Sequence, residues 1–169
     1  GCTADDTLGF FTLETATGPA GSLAARGRCD ANDGVLVLLH AVGGEAFGAF
    51  RETAVLTPVV GGRFVADLGV YEPLAYRVEA VLAAHLNAPG ALPEKALRFG
   101  DPNLEVRETA DGWEIVRRTE HRVGTLAQEV QTLTRHADRL AAASDALAKY
   151  AAELREIAAR VWPKEGGAS

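Results

Sequence analysis

Apolar and small residues recur at alternating steps of three and four over the last third of the chain: Val123, Leu126, Val130, Leu133, Ala137, Leu140, Ser144, Leu147, Ala151, Leu154, Ala158 and Val161. This heptad predicts one long α-helix carrying a continuous stripe. At about 2 kcal/mol per large aliphatic side chain, leaving Leu126, Leu133, Leu140, Leu147, Leu154 and Val161 in water would forgo roughly 12 kcal/mol. The stripe therefore calls for a cover. Its a-type positions shrink from Val123 and Val130 to Ala137, Ser144, Ala151 and Ala158, and the e-type positions Ala127, Ala141 and Ala148 are small as well. The charged e/g pairs that select a parallel two-stranded zipper are missing. Beyond Leu140 the apolar face widens to include Tyr150 and Ile157, the width of a bundle helix. The expected cover is helices of other copies or of another protein. The alternative is a helix folded back along its own sheet.

Thr125 and Gln128 have the spacing of a capping box, with Thr119 as an alternative earlier cap that would place Gly124 inside the helix. Pro163 and Gly166-Gly167 end it. From Thr125 to Trp162 such a helix is about 57 Å long at about 1.5 Å per residue.

Upstream the period changes to two. Leu8 to Glu14 carries Phe10, Phe11 and Leu13; Leu23 to Arg28 is a weaker segment; Val35 to Val42 is a continuous apolar run between Asp33-Gly34 and Gly43-Gly44. Phe50 to Thr57 alternates, with Phe50, Ala54 and Leu56 on one side. In the next run Phe64, Ala66, Leu68 and Val70 oppose Arg63 and Asp67, and then Tyr76, Val78, Ala80 and Leu82 oppose Arg77 and Glu79. Short alternating strands separated by turn residues predict an antiparallel β-sandwich. Pro89, Gly90, Pro93, Gly100 and Pro102 mark a linker. Two further alternating runs, joined through Ala110-Asp111-Gly112, predict a hairpin that either extends a sheet edge or forms a collar at the head of the helix. The expected organisation is α+β: a tether 1–7, an immunoglobulin-like sandwich 8–88, a linker 89–103, a hairpin 104–118, a heptad helix 119–162 and a tail 163–169.

The stretch from Gly62 through Asp67, Tyr71, Glu72, Pro73 and Tyr76 to Ala80 resembles the late hairpin of bacterial immunoglobulin-like and fibronectin type III-like domains. In those domains a proline-containing corner precedes a tyrosine that opens an alternating strand. The resemblance implies that the Tyr76 hydroxyl bonds back to the chain before Pro73 while its ring turns inward. It also implies a binding or spacer module, and it transfers no active site.

A formal charge of −6 and a pI near 5.2 give no chain-wide attraction to phosphate backbones, so nucleic acid is not an expected partner. No apolar run is long enough to span a bilayer. Lysine is confined to Lys95, Lys149 and Lys164 while Ala, Gly and Val abound, a usage that points to a GC-rich bacterial or phage genome. Gly1-Cys2 reads in three ways: a lipidated cysteine following a lipobox glycine, a disulfide from Cys2 to Cys29, or two plain thiols. The first two imply export, and contact with a membrane is expected only through a lipid on Cys2.

Asp30-Ala31-Asn32-Asp33-Gly34 resembles the interdomain calcium motif of cadherins, although these residue types also favour a β-turn before a buried strand, and the turn is the preferred reading. His40, His85, His121 and His136 lie in separate segments without metal or triad spacing. Gly18-Pro19-Ala20-Gly21-Ser22 is not a nucleophile elbow, and no glycine-rich phosphate loop precedes a helix. Arg117, Arg118 and Arg122 form a small basic cluster whose simpler reading is a solvated approach to the helix. The sequence thus predicts no catalytic residue, no cofactor and no metal. It predicts a non-catalytic structural or interaction protein of the bacterial envelope, with a virion decoration or fibre subunit as the alternative.

Overall fold

The computed structural model describes residues 9–45, 51–92 and 104–162. They form two antiparallel sheets and one long helix, and the chain divides into two compact units, Gly1–Glu129 and Val130–Ser169. The smaller sheet has the order β1 (Glu14–Thr17), β2 (Leu23–Arg28) and β5 (Arg63–Asp67). The larger runs β4 (Arg51–Pro58), β3 (Leu36–Gly43), β6 (Ala75–Ala83), β8 (Gly112–Arg122) and β7 (Glu105–Thr109). The α-helix α1 spans Leu126–Val161.

Alternation along each strand sets which side chains leave water. Val37, Leu39 and Ala41 on β3, Tyr76, Val78, Ala80 and Leu82 on β6, and Trp113 and Ile115 on β8 are buried. From the smaller sheet come Leu23, Ala25 and Phe64, and the Phe64 ring meets that of Phe11 at 5.9 Å in a tilted pair. Hydrogen bonds tie the sheets at both margins. Thr57 Oγ1 on β4 donates to the Val65 carbonyl on β5 at 3.0 Å, and His121 on β8 shares hydrogen bonds with the hydroxyls of Thr15 and Thr17 on β1, at 3.2 and 3.3 Å.

The hairpin extends the sheet. β8 pairs with β6 from Ala75↔Arg122 to Ala83↔Glu114, so residues 104–118 add to the five-stranded sheet and form no separate collar. β8 also continues past the expected end at Arg118. Thr119 sits opposite Val78 in this ladder, which rules it out as a helix cap. Val123 is buried among the β unit, and its amide donates to the Leu74 carbonyl at 2.9 Å; it belongs to the end of the sheet and not to the helical stripe. Gly124 follows at φ +76°, a backbone conformation outside the helix. The helix starts only after Thr125, where the capping box closes: the Thr125 amide donates to Gln128 Oε1 at 2.9 Å and the Gln128 amide to Thr125 Oγ1 at 3.2 Å.

Two strand expectations shift. The aromatic segment around Phe10 and Phe11 pairs with its neighbour through the isolated Phe11↔Cys29 bridge, and regular pairing begins at Glu14. Thr12 explains the break, because its hydroxyl accepts the Arg28 amide at 2.9 Å in place of a backbone ladder bond. On β4, Ala54 and Leu56 face outward, Leu56 being half exposed, while Thr57 is buried. This is an edge strand whose inward threonine bonds the other sheet. Phe50 and most of the expected linker lie outside the described residues.

Candidate functional site

Residues 126–161 place the predicted stripe on one helix about 54 Å long at about 1.5 Å per residue. Leu126, Val130, Leu140, Leu147, Leu154 and Val161 are 46 to 67% exposed, and Tyr150 and Ile157 beside them are exposed too. Ala137, Ser144 and Ala158 are exposed, whereas Leu133 and Ala151 are half-buried. The charges of the helix, including Asp145, Lys149 and Glu153 at four-residue spacing, lie off the seam. The first turn is held by the capping box and by an ion pair between Arg122 at the end of β8 and Glu129. Among the described residues, no three His, Cys, Asp or Glu side chains come together as a metal-binding group.

The other residues singled out in the sequence go to separate structural tasks. Asp30 Oδ2 accepts the Gly9 amide at 2.9 Å, and Asp33 Oδ1 accepts the Gly61 amide at 2.8 Å. The two carboxylates thus brace different segments, and the Gly9 amide holds Asp30 below its ordinary pKa. Gly34 turns the chain at φ +90° into β3. His40 pairs with Glu52 at 2.5 Å, His85 lies 3.8 Å from Glu114, and His121 links β8 to β1. The basic cluster is not an open patch, since Arg118 bonds Glu79 and Glu105 and Arg122 bonds Glu129. Cys29 is buried, and Cys2 lies outside the described residues.

Two features escaped the sequence pattern. Glu79, read as an outward polar residue, is only 7% exposed on the far face of the central strand. It receives Arg77 Nη1 and Arg118 Nε, each at 2.6 Å, in a cross-strand row with His40 and Arg118. Burial alone would push the Glu79 carboxyl up; the hydrogen bond from Arg118, with the charges of Arg118, Arg77 and Arg107, outweighs it and holds the group below its usual range. Beside this network Val81, Ala83 and Val116 form a second small apolar cluster with Leu38 and Leu86. A groove of about 780 Å³ also runs between the margins of β4 and β5, floored by Val60, Phe64 and Val65 and rimmed by Arg26, Arg28 and Arg63. Arg26 is paired with Glu14, and Arg28 stacks over Phe10 at 4.6 Å. Both features depend on pairings distant in sequence, and no local motif signals either.

No protein family, curated protein or solved structure matches this chain.

Proposed function

We propose that this is a non-catalytic interaction protein, in which an immunoglobulin-like β-sandwich head carries a coiled-coil-type helix that assembles with copies of itself or docks on another protein. One observation carries the reading: a capped 36-residue helix with its leucine stripe open to solvent. Exposed apolar faces of this length mark interaction sites in soluble proteins. The tie from Tyr76 to the carbonyl before Pro73, together with the two sheets joined at both margins, supports the sandwich assignment. Both the bacterial envelope and a virion accommodate this plan.

Light scattering on the eluting full-length chain over a range of concentrations tests the self-association arm. The expected result is a mass that is a multiple of 17.8 kDa. A monomer at every concentration removes self-association and leaves docking on a different protein.

A further inference from the structure

From the sizes of the side chains along α1 we infer that the stripe is covered by the same helix of a second copy, running antiparallel in a two-fold dimer; the inference rests on the self-association reading above. The d-type positions are leucines, ending in Val161, and the a-type positions after Val130 are Ala or Ser. In a parallel pair, a meets a and d meets d. Leucine layers would then alternate with Ala137, Ser144, Ala151 and Ala158 facing their own copies. The leucines would set the helix separation, and each small layer would leave a gap, which close-packed seams do not tolerate.

An antiparallel pair brings a against d. Centred between Asp145 and Ala146, Ser144 meets Leu147 of the second copy, Ala137 meets Leu154, and Val130 meets Val161. Ala151 and Ala158 take Leu140 and Leu133 in the same way. Every layer then combines one large and one small side chain, or two of middle size, so the seam has one width throughout. The same register sets Ala141 beside Ala148 and Ala143 beside Tyr150, with no like charges opposed. Opposed helix dipoles favour this arrangement as well. The interface is isologous and closes at two chains. Covering the large apolar side chains from Val130 to Val161 at about 70 Å² each would remove roughly 1,100 Å² from the pair, and the Ala and Ser residues between them bring it to the lower bound of a specific stable interface, about 1,200 Å².

Cysteine cross-linking in the full-length chain carrying Cys2→Ser tests the orientation. Ala137→Cys and Leu154→Cys chains, mixed and oxidised, are expected to give a covalent dimer joining one of each, with little product from either alone. Self-linking of Ala137→Cys would overturn the antiparallel pair while leaving assembly through the helix in place. Spin labels at Arg135→Cys keep every leucine: the antiparallel register separates them by about 30 Å along the axis at about 1.5 Å per residue, whereas a parallel pair holds them level. A monomeric or trimeric mass overturns the dimer, and a monomer also removes the self-association on which it rests.

Discussion

The hydroxyl of Tyr76 donates to the carbonyl of Glu72 at 3.0 Å, so the first inward side chain of the central strand closes the corner that feeds it. The Tyr76 ring is 1% exposed and lies against Gly43, where an added Cβ would come within 2.5 Å of it. Burial first, and then the nearby Glu72 charge, push the phenol up to about 12. A folded-state value above the ordinary 10.0 means that the native state holds this proton more tightly than the unfolded chain. Its contribution is fully present below pH 10 and is lost as the pH rises toward 12. Tyr76→Phe should destabilise the chain by about 1 kcal/mol near neutrality and remove this alkaline loss. Denaturant unfolding of both proteins across that range checks it, and an unchanged alkaline slope in the variant would count against it.

Glu79 gives the opposite pH dependence. Its folded carboxyl lies below the ordinary 4.5, so its stabilisation is present above that value and disappears as the pH falls through the folded pKa. Glu79→Gln leaves Arg77 and Arg118 facing a neutral group. Because both arginines are partly exposed, the expected loss at neutral pH is about 2 kcal/mol, below that for a fully buried pair. The variant should lose less stability than the parent on acidification, as read by urea midpoints.

Gly27 is required for lack of volume. A Cβ there would overlap the Thr12 carbonyl oxygen and the Phe64 ring, where the Phe11 segment crosses β2. Gly27→Ala should cost about 3 kcal/mol. A melting temperature equal to that of the parent would show that the crossing is looser than described.

Leu140→Asp with Leu147→Asp should weaken helix-mediated assembly at least a hundredfold, about 3 kcal/mol, while the β unit melts as before. Both positions are exposed in the single chain, so the charges disturb only a contact made by the stripe. Sedimentation at matched concentrations together with strand melting by circular dichroism separates the two effects. Parent-like association of the variant would remove the leucine stripe as the interface.

The elements legible in the sequence are those written locally. Thr125 and Gln128 announced the helix start because both halves of a capping box lie within one turn, and Leu23–Arg28 was recognisable as a strand at its observed bounds. Val123 was misplaced because the end of β8 continues the three-four spacing by coincidence, and only the Leu74 carbonyl distinguishes a strand residue there from a helical one. The outward turn of Leu56 could not be read from its own segment, since it follows from Thr57 reaching a carbonyl on another sheet. Glu79 was invisible for the same reason: its burial depends on Arg118, supplied by a strand that arrives far later in the chain. The helical face was readable residue by residue, but its exposure in the single chain was not, because periodicity identifies a stripe without saying what lies over it.

The join between β8 and α1 bears on how the helix comes to exist at all. Fixing a first helical turn is the unfavourable step in helix formation, and later residues add with little penalty. Here the anchored Val123, the reciprocal Thr125 and Gln128 bonds, the Glu129 amide on the Thr125 carbonyl and the Arg122–Glu129 ion pair all constrain that turn. The folded sheet therefore supplies the nucleating turn, and each residue after it adds to a helix whose costly first step is already made.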